Sequence, residues 1–126
     1  GNWVKLSDFK GKIVLVSFWA MWSPESKRQV YELARLNSQY KAQDVVVIGI
    51  STDEGGAERI KGFVESSGLN YIILIADTSA KTAYGGVPKL PFNYIIDRQG
   101  NIYKEYPGYQ GAHILELDIK KLLLSK

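Results

Sequence analysis

Residues 12–26 read KIVLVSFWAMWSPES, and this stretch is the most informative part of the chain. Its first part, Lys12–Ala20, is apolar in both phases of a period-two pattern, which is typical of a strand buried on both faces and central in a sheet. Ser23 has a hydroxyl suited to an N-cap, Pro24 suits the first helical position, and Glu25 falls in the first turn. We therefore predict a central strand that leads directly into a helix.

The segments that follow continue the alternation of helix and strand. Val30 and Leu33 lie on an apolar helical face that runs to about Tyr40, and Asp44–Ser51 is a second buried strand. A strand, helix, strand passage of this length implies a right-handed crossover between parallel strands. The remaining predicted elements are a helix from about Ala57 to Gly68, a strand at Tyr71–Ile75, a short helix near Ser79–Tyr84, a hairpin of Phe92–Asp97 with Ile102–Tyr106, and a helix at about Ala112–Leu124. The pattern predicts one α/β domain over residues 1–126, with a mixed central sheet of about five strands flanked by helices on both faces.

The composition disfavours several classes of function. Sixteen Lys and Arg against thirteen Asp and Glu give a net charge of +3, and the basic residues are dispersed, which disfavours a nucleic-acid partner. The chain has no cysteine and a single histidine, His113, so no metal-ligand set and no thiol nucleophile is evident. Its apolar runs are far shorter than the ~18 residues that a membrane helix needs. We expect no cofactor, no metal and no nucleic acid.

The turn after the central strand is the candidate functional site. A helix N-terminus offers free backbone N–H groups and the positive end of the helix dipole, and ligands of open α/β sheets gather at the carboxyl ends of strands. Residues 18–26 combine both features. The simplest interpretation of Ser23 and Ser26 is nevertheless a plain helix cap with solvent-facing hydroxyls, which requires no function.

Leu6–Ser26 reads LSDFKGKIVLVSFWAMWSPES. This stretch resembles the pattern LSDFKGKxVLVxFWAxWCxxC of thioredoxin-like thiol-disulfide oxidoreductases, in the TlpA/ResA-like branch of the AhpC/TSA-Redoxin superfamily. Val45–Glu54 is similar to the second core strand of that family, and Leu90–Tyr109 to its cis-proline loop and terminal hairpin. The resemblance implies a thioredoxin-like fold and a cofactor-free protein disulfide reductase that acts on protein thiols or disulfides. It also implies an extracytoplasmic bacterial location, with any signal or membrane tether outside these residues, and we expect a monomer.

The resemblance also implies the site residues. Ser23 would occupy the exposed position of the attacking cysteine, and Ser26 the position of the resolving cysteine one helical turn later. The implied substrate-binding positions are Trp22, Pro24, Glu25, Leu90 and Pro91, with Pro91 as the cis-proline against the catalytic pair. A thiolate carries out disulfide exchange, and a serine hydroxyl cannot form the mixed disulfide, so we expect this chain to be redox-inactive. Loss of both cysteines together suggests an intended replacement, and natural loss is the alternative.

Two further positions depart from the family pattern. Ser17 sits where classical thioredoxins bury an acidic proton acceptor, and Gln29 sits where TlpA/ResA-like proteins often carry glutamate. Neither residue has a carboxylate, and Glu25 is expected to be exposed in the first helical turn. The sequence therefore shows no clear proton acceptor for a thiol-bearing form of the site.

Other functions remain open at this point. The main alternative is a non-catalytic module that holds an extended polypeptide beside Trp22 and Pro91 by main-chain hydrogen bonds. A serine hydrolase is disfavoured because no G-x-S-x-G motif surrounds Ser23 and His113 falls at the start of the last helix. A peroxiredoxin-like site would need Thr or Ser where the chain has Ala20. Most aromatic residues lie on predicted core strands, so we interpret them as packing residues rather than as base-stacking surfaces.

Overall fold

The computed structural model describes residues 6–21, 23–52, 57–75 and 90–124. The strands are β1 (Ile13–Trp19), β2 (Val45–Ser51), β3 (Ile72–Ile75), β4 (Phe92–Ile96) and β5 (Ile102–Pro107). The α-helices are α1 (Pro24–Tyr40), α2 (Ala57–Ser67) and α3 (Ala112–Leu124), and a 3₁₀ turn spans Leu6–Phe9. Each described strand and α-helix lies within about two residues of its predicted position, and the 3₁₀ turn was not predicted. The short helix predicted near Ser79–Tyr84 lies outside the described residues.

The five strands form one mixed sheet in the order β3-β2-β1-β4-β5. β1 runs parallel to β2, and β2 runs parallel to β3, as crossover connections through helices require. β4 is antiparallel to both β1 and β5. β1 is therefore the central strand, and all seven of its residues are buried, as its continuous apolar pattern predicts.

The two faces of the sheet pack against different partners. Alternate residues of β1, such as Leu15 and Trp19, join one apolar cluster with side chains from all three α-helices. The intervening residues, such as Val16 and Phe18, join a second cluster with β4 residues and with Phe9. The described α-helices thus share one face of the sheet. We predicted helices on both faces, and the described residues provide them on this face. None of the helices in the described ranges is long and apolar enough to cross a membrane.

The β4–β5 connection is a tight turn, as the residues Arg98-Gln99-Gly100-Asn101 predict. The Asp97 carboxylate accepts hydrogen bonds from the backbone N–H groups of Gln99 (3.0 Å) and Asn101 (2.9 Å). Gly100 has a φ of 91°, a conformation that favours glycine. The hairpin positions the start of β4, and hence Pro91, beside the central strand.

Gly49 on β2 provides a test of how tightly the helix-covered face is packed. A Cβ at this position would lie 3.0 Å from Tyr71 Cε2 and 3.2 Å from both Ile73 Cδ1 and Trp19 Nε1. We predict that Gly49→Ala lowers the free energy of unfolding by about 1–3 kcal/mol through overpacking. The matched control is Gly62→Ala on α2, where a Cβ would meet nothing within 4 Å. This control is expected to raise the free energy by about 0.5–1 kcal/mol. Urea denaturation measures both, and equal effects would contradict the packing.

Buried tyrosines make the fold sensitive to alkaline pH. Burial, aided by a hydrogen bond to Glu116, raises the pKa of Tyr40 to about 12. Burial also raises the pKa of Tyr71, whose hydroxyl donates to the Val30 carbonyl oxygen. Folding therefore favours the neutral hydroxyls. The stability that they contribute is complete below pH ~10, the unfolded pKa of tyrosine, and is lost as the pH rises towards the folded pKa.

We predict that the free energy of unfolding falls between pH 10 and about 12, and that Tyr71→Phe makes this fall smaller because it removes one of the shifted groups. Urea denaturation at a series of pH values measures the slope. Tyr31→Phe is the control for the same substitution at a side chain that is 50% exposed. A slope that is the same in all three proteins would contradict the prediction.

Candidate functional site

The turn between β1 and α1 has the geometry of a capped helix start. Ser23 is the N-cap, with extended backbone angles, and Pro24 follows at the first helical position. The Ser23 Oγ accepts a hydrogen bond from the backbone N–H of Ser26 at 3.2 Å. The Ser23 carbonyl oxygen accepts from Lys27 N at 3.1 Å. The predicted helix start is confirmed, and the hydroxyl satisfies one of the amides that every helix N-terminus leaves unpaired.

The expectation that the Ser23 side chain is exposed is wrong. Ser23 is only 2% exposed and Ser26 is fully buried. Ser23 lies between Ala20 and Ser26, which are both fully buried, and its Oγ turns towards the Ser26 amide. Pro24 and Glu25 are exposed between the two serines. Trp22, which the resemblance places in the substrate-binding rim, lies outside the described residues.

Pro91 lies at the same end of the sheet as Ser23. The Leu90–Pro91 peptide bond is cis, and Pro91 is buried. Phe92, the first residue of β4, pairs with Phe18 near the end of β1, so the Pro91 bend faces the point where β1 leaves the sheet. The Pro91 carbonyl oxygen accepts a hydrogen bond from Gly108 N at 2.8 Å. The sheet register therefore brings the bend and the start of α1 to one edge.

A buried polar group lies behind this edge, on the helix-covered face. Its members are fully buried side chains from three different elements: Ser17 of β1, Ser26 and Gln29 of α1, and Asn93 of β4. Ser17 and Asn93 are direct partners in the β1–β4 register, so their side chains are neighbours. Ser26 and Gln29 are three residues apart on one helical face and are also neighbours. Three oxygens of the group have no hydrogen-bond partner among the described residues: Ser17 Oγ, Ser26 Oγ and Asn93 Oδ1.

Gln29 and Asn93 form a hydrogen-bonded pair that we term the amide clamp. Asn93 Nδ2 donates to Gln29 Oε1 at 3.0 Å. The Gln29 side chain also makes a two-point contact with the backbone of Gln110, donating to its carbonyl oxygen and accepting from its N–H, each at 2.8 Å. The sequence analysis missed Asn93. Two features of the sequence indicate a buried polar group. Asn93 is a lone amide in the otherwise apolar strand FNYII, and Ser17 is a lone hydroxyl in the strand IVLVSFW.

Residues 108–111, between β5 and α3, form a strap across the first turns of α1. The Arg28 guanidinium lies 4.4 Å from the centroid of the Tyr109 ring. The Tyr109 hydroxyl donates to Glu32 Oε1 at 3.0 Å, and Ala112 N donates to Glu32 Oε2 at 3.2 Å. Burial and the hydrogen bond to Glu32 raise the pKa of Tyr109, and Arg28 opposes that shift. Consecutive turns of α1 thus hold the strap in place.

The side chains present limit the chemistry of the site. With no cysteine in the chain, no thiol exchange can occur at Ser23 or Ser26. The Ser23 Oγ is engaged by the Ser26 amide, and His113 is exposed on α3. In the described ranges, no group of three His, Asp or Glu residues is arranged to hold a metal ion. What remains is a helix N-terminus, a proline bend and a buried polar group at one edge of the sheet.

Known proteins are similar to this chain in sequence and in fold. Residues 1–105 match the model of the AhpC/TSA family. The thiol-disulfide oxidoreductase ResA of Bacillus thuringiensis subsp. konkukian (strain 97-27) is 30% identical over 122 residues, which are 97% of this chain and 70% of that protein. A solved structure described as thiol:disulfide interchange protein DsbE of Chlorobium tepidum has a TM-score of 0.85 at 26% identity, over 95% of this chain and 86% of that one. A thiol:disulfide interchange protein from Bacteroides sp. has a TM-score of 0.83 at 25% identity, over 100% and 83%.

These similarities extend over nearly all of the chain and agree with the mixed five-stranded sheet. The predicted thioredoxin-like fold is confirmed. The relatives in sequence and in structure carry names of the same class, thiol-disulfide oxidoreductases and interchange proteins. The chain therefore belongs to the AhpC/TSA family, with ResA-type thiol-disulfide oxidoreductases among its relatives.

Proposed function

We propose that this chain is the thioredoxin-like domain of a protein-disulfide reductase, in which Ser23 and Ser26 stand at the two cysteine positions and make the site redox-inactive. The observation that carries the proposal is the placement of both serines in the first turn of α1, at the carboxyl end of the central strand. The cis peptide bond before Pro91 lies at the same edge of the sheet. Relatives that match over nearly the whole chain are named for the same reaction.

With cysteine at both positions the chemistry is a two-step exchange. The thiolate of residue 23 attacks one sulfur of a substrate disulfide, forms a mixed disulfide and releases the first substrate thiolate. The thiolate of residue 26 then attacks the sulfur of residue 23, forms the intramolecular disulfide and releases the second substrate thiolate. Two electrons pass to the substrate, and its two thiolates take up the protons that the two cysteines lose. The N-terminus of α1 favours the thiolate form of residue 23.

The partners in this proposal are polypeptides that carry disulfides. An extended segment would lie against Leu90 and Pro91, beside the exposed Pro24 and Glu25. The reaction itself needs no cofactor, because the electrons come from the two thiols. We further propose an extracytoplasmic bacterial location, where disulfides persist, and a monomeric domain.

A second function is favoured by one specific observation. The Ser23 hydroxyl makes a capping hydrogen bond to Ser26 N, and serine is a strong N-cap residue, whereas sulfur is a weak acceptor. Serine at this position therefore has a structural role of its own. A non-catalytic module that binds an extended polypeptide through the Pro91 edge would retain such a serine.

We predict that Ser23→Ala lowers the free energy of unfolding by about 1 kcal/mol, because it removes the cap. Ser26→Ala is the matched control, since the Ser26 Oγ is buried without a partner among the described residues. It should change the free energy by less than about 0.5 kcal/mol, because no hydrogen bond is lost. Urea denaturation of the two variants measures the difference. Equal losses would remove the structural support for the binding module.

We predict that Ser23→Cys combined with Ser26→Cys creates disulfide reductase activity, because it restores both nucleophiles at the helix N-terminus. The measurement is the turbidity that develops when insulin disulfides are reduced in the presence of dithiothreitol. The unaltered chain should add nothing to the rate that dithiothreitol gives alone.

The single variants are the controls for this experiment. In a separate incubation with insulin and no dithiothreitol, Ser23→Cys alone should trap a mixed disulfide, because no second thiol in the protein can release it, whereas Ser26→Cys alone should trap far less. Absence of any rate gain in the double variant would remove the reductase proposal. The native gene separates the two functions independently, because the reductase requires cysteine codons at positions 23 and 26 and the binding module requires serine codons.

A further inference from the structure

A continuous run of hydrogen bonds connects the proline bend to helix α1. It begins at the Pro91 carbonyl oxygen, which accepts from Gly108 N at 2.8 Å. The Gly108 carbonyl oxygen accepts a longer bond of 3.5 Å from Asn93 Nδ2. The same Asn93 nitrogen donates to Gln29 Oε1 at 3.0 Å. The run therefore ends on α1, one turn beyond Ser26.

Burial of the Gln29 and Asn93 amides carries a free-energy cost unless they are hydrogen-bonded. Gln29 and Asn93 are fully buried, and burial of an amide without partners costs about 1–3 kcal/mol. Apolar residues at both positions would avoid this cost, so the two amides are not explained by packing alone. The amides instead join three separate segments: α1, β4 and the strap 108–111. Helix α1 carries the residue pair 23 and 26, and β4 begins at the proline bend.

We propose that Gln29 is a positioning residue, which acts through Asn93 and Gly108 to hold the Pro91 bend in register with the first turn of α1. The amide clamp fixes the two halves of the site relative to each other without an ionisable group. A polypeptide at the Pro91 edge then meets residue 23 at a set distance. This inference rests on the proposed function for its catalytic consequence, and the structural coupling itself is independent of that function.

The coupling is tested in the cysteine-free chain by amide hydrogen exchange. Gln29→Met keeps the side-chain volume and removes all three hydrogen bonds of the Gln29 amide. We expect the Gly108 N–H, which bonds the Pro91 carbonyl oxygen, to exchange about tenfold faster relative to the amides of β1. Asn93→Ala is the second variant, because it cuts the link to Gly108 and leaves the contact between Gln29 and Gln110. It should expose Gly108 N–H while Gln110 N–H stays protected.

Gln39→Met is the control for the same substitution at an exposed position of α1. Gln39 lies on the same helix and loses a hydrogen bond of equal length, 2.8 Å from its Nε2 to Glu116 Oε2, far along α1 from the site. Its exchange at Gly108 should equal that of the unaltered chain. If Gly108 stays as protected in Gln29→Met and in Asn93→Ala as in the control, the coupling does not exist and the proposal is overturned.

The catalytic consequence is tested in the chain with cysteine at positions 23 and 26. Adding Gln29→Met should slow reduction of insulin disulfides about tenfold, because a small misplacement of bound groups lowers rates strongly. The reaction with 5,5′-dithiobis(2-nitrobenzoate), which needs the thiols but not the proline bend, should stay within about twofold. Equal changes in both rates would mean a purely structural role and would contradict positioning. If the cysteine pair reduces neither compound, the proposed function fails, while the exchange result at Gly108 still decides the coupling.

Discussion

β1 has packed layers against both of its faces, and all seven of its side chains are buried. β1 ends at Trp19, and the chain then reverses direction. It does so by starting α1 within a few residues, and the helix returns over the sheet to begin the parallel strand β2. The helix N-terminus, and with it the site, therefore lies at the carboxyl end of the buried central strand.

The site combines apolar strands with a few buried polar side chains. Ser17 and Asn93 face each other in the two central strands, where every neighbour in the sequence favours packing. Such exceptions to a local pattern carry a free-energy cost and tend to occur where function requires them. In this chain Asn93 bonds Gln29, which lies one helical turn beyond Ser26, so the polar group includes one of the two residues on which the proposed reaction depends. Its neutral amides hold the geometry without introducing a charge into the core.

The sequence predicted the elements whose signals are local. The two-phase apolar run of β1, the capping residues of α1 and the glycine of the β4–β5 turn each specify their own structure, and each was predicted within two residues. The thioredoxin-like fold followed from the order of these elements and from the family resemblance. The prediction had no means of finding contacts between distant segments. The bond between Gln29 and Asn93 joins residues 64 positions apart, and it depends on the register of β4 against β1.

The burial of the Ser23 side chain also could not be predicted from the sequence. Serine at an N-cap is compatible with an exposed or a buried hydroxyl, because the capping bond can form in either case. In the structure Ser23 is buried, as are Ala20 and Ser26 on either side of it. The sequence nevertheless predicts that positions 23 and 26 lie within one helical turn, and the structure places them there.

The most direct measurement is an equilibrium redox titration of the chain with Ser23→Cys and Ser26→Cys, followed by mass spectrometry. If positions 23 and 26 form a dithiol site, the protein passes through a single two-electron transition and the oxidised form is a monomer with one internal disulfide. Oxidation that yields only disulfide-linked dimers, or thiols that titrate independently, would contradict the account.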